Sequence, residues 1–311
     1  MNNSYPGKSE TVRLFERRAF IIAAINAAGA SALLAVPGID LASQAPQKKD
    51  RYTVQDIINI ILKEIPGAPF KQTVDTIKAG SALQEVTGIV TTMFPTVKVI
   101  EAAARIKANF IIAHEPSFYN HTDDPNWIPG NEVLRMKQSL LTQDNITIWR
   151  FHDYWHSHRP DGITYGVLKS AGWLDHYKPD QSIVQLNPIT LSNLVAHLKS
   201  TLNINHIRMI GDPEQQCRTI ALMPGAAGGQ RQIAIAEKVH PDVLIVGEVH
   251  EWETAEYIRD ARQLGSKIAL IVLGHGVSEE PGMQWLVEWL QPKLNGLPIT
   301  HLASEDPFTW I

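Results

Sequence analysis

His275 and Glu279 stand four residues apart in GHGVSEEPG (274–282), an imidazole and a carboxylate of the kind that together hold a divalent ion. Adjacent His114 and Glu115 in IIAHEP (111–116) could form a second pair, and His152, His156 and His158 crowd into HDYWHSH (152–158). Glu248, in VGEVHE (246–251), adds a carboxylate that could handle protons. The single cysteine, Cys217, excludes an internal disulfide and a thiolate cage within one chain, so a metal must sit on His and carboxylate ligands. Each signal also has a plain structural alternative. H-x-x-x-E also suits a capped helix beside a satisfied histidine, His114-Glu115 suits a capping turn before Pro116, and the 152–158 cluster suits a solvated loop. The glycine-rich PGAAGG (224–229) would either bind an anion through backbone N–H groups or simply allow a tight turn.

What sets these residues apart is where they stand. Short apolar runs that read as buried strands precede them: FIIA before His114, ITIWRF before His152, IALM before Pro224, VLIVG before Glu248 and Ile268–Leu273 before Gly274 and His275. Further strands are predicted over 84–92 and 207–210. Helices are predicted over 54–65, 96–107, 132–143, 162–174, 191–202, 232–239 and 254–264. Ser278 is expected to N-cap the segment that follows the last strand, which would put Glu279 in a helix's first turn. Strands alternating with helices argue an α/β fold with a largely parallel sheet covered by helices. In such a sheet the carboxyl ends of the strands share one edge, where ligands bind. Five strand exits carrying chemistry are far harder to ascribe to accident than any one of them.

The chain has 311 residues, formal net charge -4 and 44% hydrophobic residues, enough for one large or two smaller α/β units. That charge, with no Lys/Arg cluster interleaved with aromatics, argues against a nucleic-acid partner. Residues 1–45 read as a twin-arginine-type signal segment: Arg17-Arg18-Ala19-Phe20-Ile21, a soft Ala/Gly-rich run over 22–36, then a small-residue end at Ser43-Gln44-Ala45. The expectation is export of a folded protein, with only transient membrane contact; an uncleaved anchor or a fortuitous apolar helix are the other readings. The folded domain is expected over 46–311.

Taken together, IIAHEP, HDYWH with GITYGVLKSAGW (162–173), PGAAGG, VGEVHEWETAEYIRDARQLG (246–265) and GHGVSEEPG resemble, in this order, the Nif-three-like (NGG-one-interacting-factor-three) proteins. These are dinuclear-metal, ring-shaped hexamers also called GTP cyclohydrolase type 2 homologues, and the resemblance covers most of residues 53–295. It implies two α/β lobes facing each other across a metal site, two divalent ions (Zn, Fe or Mn) and a homohexamer. By register it places the metal ligands at His114, Glu115, His156, His275 and Glu279. Glu115 stands where the family has His, and His156 where it has Asp; the two changes cancel in charge, so they read as compensating. His158 is the alternative to His156. Glu248 is a candidate proton-handling or supporting group. The implied function is a metal-dependent hydrolase in which the ions acidify a shared water, acting on a purine ring or a phosphoester. The other reading is a non-enzymatic metal-binding or partner-binding hexamer. Export would count against GTP as substrate, because nucleoside triphosphates are scarce outside the cytoplasm.

Overall fold

Four-residue apolar runs buried on both faces form the centre of the molecule. The computed structural model describes residues 51–178 and 182–311; the expected signal segment over 1–45 lies outside the described residues. Among the described residues no helix is long and apolar enough to cross a membrane. Two sheets result, each covered by helices.

The first sheet has the order β1 (Ile77–Ala79), β4 (Thr147–Arg150), β3 (Phe110–Ala113), β2 (Ile89–Thr92), β11 (Ile299–His301). All its pairs are parallel except the β1 edge. The second has the order β5 (Tyr177–Lys178), β6 (Ile183–Thr190), β8 (Gln216–Met223), β9 (Val243–Val246), β10 (Ala269–Val272), β7 (Arg208–Ile210). Here only β8–β9–β10 are parallel, and β5, β6 and β7 join antiparallel. The single sheet suggested by strand–helix alternation is thus two sheets with parallel centres. Parallelism holds where helical crossovers intervene: α2 (Val97–Arg105) and α3 (Glu132–Gln143) in the first sheet, α7 (Gly229–Val239) and α8 (Glu256–Gln263) in the second.

Side-chain caps set several helix starts. Thr53 and Asp56 form a capping box at α1 (Val54–Leu62), Thr96 caps α2, Asn131 caps α3, and Thr190 caps α6 (Leu191–Leu202). The stretch 152–158, for which a loop was one alternative, carries the short helix α4 (Asp153–Ser157).

Between the two sheets lie α5 (Gly162–Ser170) and α9 (His275–Leu290). Met283, Leu286 and Leu290 of α9 join the core of the first sheet, while Val167 and Leu168 of α5 join that of the second. The two helices touch through glycine: a Cβ built on Gly166 would lie 2.4 Å from the Gly282 Cα. The result is two facing α/β lobes whose strand ends open onto a common space.

Candidate metal centre

The residues singled out by type come together from both lobes. His114 and Glu115 leave β3, and just past β4 His152 precedes α4 and His156 lies within it. From the other sheet, Glu248 follows β9, while His275 and Glu279 belong to α9. At the end of β10, Gly274 adopts φ 101, a conformation open to glycine, and the chain enters α9 directly at His275. The helix therefore starts earlier than a Ser278 cap would place it. Glu279 sits one full turn above His275, and its Oε2 lies 3.1 Å from the His275 Nε2. Ser278 instead ties the helix start to the neighbouring turn, since its hydroxyl donates to the His275 carbonyl and accepts the Gly225 N–H.

Three imidazoles are pinned in one sense. The Nδ1 of His114 lies 3.1 Å from the Phe151 carbonyl oxygen, that of His152 3.0 Å from Asp153 Oδ1, and that of His156 2.9 Å from Asp161 Oδ2. Each acceptor fixes the Nδ1–H tautomer or the imidazolium, leaving Nε2 as the atom to face a ligand. The rings of His114, His152 and His156 pack with centroids 4.7–5.1 Å apart. One ligand atom from each lies within 4.8 Å of the others, and the same holds for His114, Glu115 and Glu279. The Nε2 of His114 is buried with no hydrogen-bond partner. A buried nitrogen left unpaired in this way costs free energy that a cation would recover.

His158 turns elsewhere: its Nδ1 lies 2.7 Å from the Pro160 carbonyl oxygen and its ring packs on Trp285 and Trp289. The structure thus gathers His156, not His158, with His114. It also gathers His152, which sequence reasoning leaves out of the ligand set. The signal is present as His152-x-x-x-His156, a spacing that a helical turn folds onto one side.

Charge in the site is arranged in opposition. Burial pushes the Glu115 carboxyl up, but His275, His152 and Arg150 more than offset this and hold it below the usual range. Burial pulls His275 down, yet hydrogen bonds to Glu115, Glu248 and Glu279 push it up to about 12. His275 is therefore an imidazolium facing three carboxylates, a single positive charge against three negative ones, and an ion binding its nitrogen must displace a proton. Burial drives His114 well below its ordinary value, so it is neutral and ready to ligate. Burial lowers His152 too, whereas for His156 the Asp161 carboxylate outweighs burial and raises it.

Glu248 is half-exposed, with Oε2 3.4 Å from the His275 Nδ1. It borders a cavity of about 750 Å³ lined also by Phe94, Arg208, His275, Phe308 and Trp310. The PGAAGG turn is used for close packing: a Cβ on Gly225 (φ 68) would lie 2.1 Å from Glu279 Oε1. The N–H of Gly229, at the start of α7, donates to Glu253 Oε2 at 3.1 Å, so that amide is committed to an internal carboxylate.

Comparison with known proteins agrees with this fold. A family profile described as Duf34/NIF3 (NGG1p interacting factor 3) matches residues 52–307. A Clostridium perfringens protein named GTP cyclohydrolase 1 type 2 homolog is 25% identical over 272 residues, covering 83% of this chain and 99% of that protein. The crystal structure of the Staphylococcus aureus hypothetical protein SA1388 superposes with a TM-score of 0.66 at 18% identity, over 84% of this chain and 100% of that one. A Bacillus cereus protein related to NIF3 gives 0.65 at 16% identity, over 84% and 99%. At these identities the two structures speak to the fold alone.

Proposed function

We propose a function from two premises: this chain belongs to the Duf34/NIF3 family, and its strand ends bring a buried, unpartnered imidazole together with further imidazoles and carboxylates. The reading is a metal-dependent hydrolase that holds two divalent ions (Zn, Fe or Mn) among His114, Glu115, His152, His156, His275 and Glu279. The single observation that carries it is the orphaned His114 Nε2 at the meeting point of both ligand groups. The donor set fits such ions: imidazole nitrogen and carboxylate oxygen, no thiolate, with the imidazoles of His114, His152 and His156 oriented from behind by hydrogen bonds. Bound ions would supply Lewis acidity and acidify a water near neutral pH.

The protein's own groups would do the rest. Glu248, at the cavity wall and beside His275, would accept a proton at Oε2 and return it to a leaving group. A cavity of about 750 Å³ is within the usual range for a small-molecule site. Because the C. perfringens relative is named a GTP cyclohydrolase 1 type 2 homolog, purine nucleotides head the substrate panel, with phosphoesters second. The test is elemental analysis of protein purified without added metal, then turnover with Zn, Fe or Mn restored. We expect two ions per chain and metal-dependent hydrolysis, with Glu248→Gln slower by about 10²–10⁴-fold when assayed with metal in excess. Two ions without turnover of any substrate would favour the non-enzymatic metal-binding reading; no bound ion would overturn both.

A further inference from the structure

We propose that the two ions occupy chemically unlike pockets in this chain: a nitrogen pocket of His114, His152 and His156, and a carboxylate pocket of Glu115, Glu279 and His275. The inference rests on the two-ion reading above and goes beyond it in assigning His152 to one particular ion, with His114 and His156, and in separating the metal preferences of the two positions.

Three observations carry it. First, the imidazoles of the nitrogen pocket are each held at Nδ1, by the Phe151 carbonyl, Asp153 and Asp161, so all three offer Nε2 and nothing else. An imidazole committed in this way has one lone pair and serves one ion, whereas a carboxylate has two oxygens and can join two. With His156 where the family resemblance puts Asp, this corner of the site cannot bridge. Second, Glu115 offers one oxygen to the site. Its Oε2 faces the buried Arg150 at 3.4 Å, while Oε1 faces His275 Nε2 at 3.4 Å and His152 Nε2 at 3.7 Å. Third, Glu279 is the carboxylate on the border, with Oε2 3.1 Å from His275 Nε2 and 3.7 Å from His114 Nε2. The nitrogen pocket is formed by neutral ligands and the other by two anionic oxygens and one nitrogen. Three imidazoles favour Zn²⁺, Co²⁺ or other late first-row ions, while carboxylates accommodate the harder Mn²⁺.

The experiment titrates the metal-free full chain with Co²⁺ and Mn²⁺, reading stoichiometry by elemental analysis and the Co²⁺ site by its visible absorption. We expect one tightly held Co²⁺ with visible bands, and Mn²⁺ filling the second position without displacing it. His152→Ala should weaken that Co²⁺ by more than about 100-fold and abolish its bands while Mn²⁺ still binds. Asp153→Asn keeps the ring but replaces the charged acceptor at its Nδ1 with a neutral amide, and should weaken Co²⁺ by about 10–100-fold. Glu115→Gln should do the converse, sparing Co²⁺ and releasing Mn²⁺. His158→Ala, outside both groups, should change neither. A Co²⁺ spectrum and affinity untouched by His152→Ala would overturn the assignment, as would variants that lose both ions equally. A wild type that holds fewer than two ions would instead sink the two-ion reading on which the proposal rests.

Discussion

Arg150 is, after His275 and His152, one of the charged groups that keep Glu115 ionised. Its side chain is fully buried; Nε donates to the His114 carbonyl at 3.2 Å, Nη1 donates to the His121 carbonyl and pairs with Asp123 at 3.5 Å, and Nη2 reaches Glu115 Oε2 at 3.4 Å. A buried carboxylate needs such a partner, because taking one charge of a pair away strands the other in a poor solvent. Arg150→Met should therefore cost about 3–5 kcal/mol of stability. It should also raise the Glu115 pKa, since Arg150 is one of the charges that now lower it. A raised pKa lets protons compete with metal at higher pH than in the wild type, so the loss of Mn²⁺ affinity should grow as pH falls toward the carboxylate range. Thermal melts and Mn²⁺ titrations at falling pH would check both effects; unchanged melting with pH-independent Mn²⁺ loss would refute the pairing. Nothing in the residue pattern hints at this arrangement. Glu115 and Arg150 are far apart in the chain and meet only because β3 and β4 pair in parallel, with Ala113 opposite Arg150. Residue type alone suggests the ligands; the charge that holds one of them requires the register.

At the level of elements, α9 carries His275 and Glu279, and its position is fixed by how closely it approaches α5. Gly166 and Gly282 bring the two backbones together, and a Cβ on Gly166 would lie 2.4 Å from both Gly282 Cα and the Pro281 carbonyl oxygen. Those are backbone atoms that cannot swing aside. Gly166→Ala should destabilise by about 1–3 kcal/mol or more through overpacking. It should also lower metal occupancy, because α9 must shift to accommodate it. Gly276→Ala, in the same helix, would meet nothing closer than 3.6 Å and should be tolerated. Equal melting temperatures for the two variants would show that the helix crossing is looser than this glycine contact requires. Periodicity reveals elements with a clear pattern: Phe110–Ala113 as a strand and Leu191–Leu202 as a helix appear where apolar spacing puts them. It misses β6, which contains Pro188 and polar residues and changes register against β8, and it misses the three-residue β1 and β11. It also misplaces the start of α9, which is set by a glycine turn with no capping side chain for a sequence pattern to detect.

For the whole molecule, convergence of strand exits was legible, because each exit is marked by an apolar run ending in a polar group; which lobe each exit belongs to was not, since pairing between strands is non-local. The same limit applies to assembly. The family resemblance implies a homohexamer, and one chain leaves apolar groups uncovered: on α3, Val133 and Met136 are 59% and 56% exposed, three residues apart and so on neighbouring positions of one face. Apolar surface of this kind is a common feature of subunit contacts, although single exposed residues are ordinary on any protein. We expect light scattering at micromolar concentration to return six chains per particle. Val133→Glu with Met136→Glu should shift the particle to a smaller species if this face lies between subunits, since two buried carboxylates there would have no partner. The metal content of the dissociated species then decides whether the ring is needed for the site. All six candidate ligands come from one chain, so the smaller species should still bind both ions. A monomer mass for the wild type would remove the hexamer. Loss of metal together with dissociation would show that a neighbouring subunit supports the site.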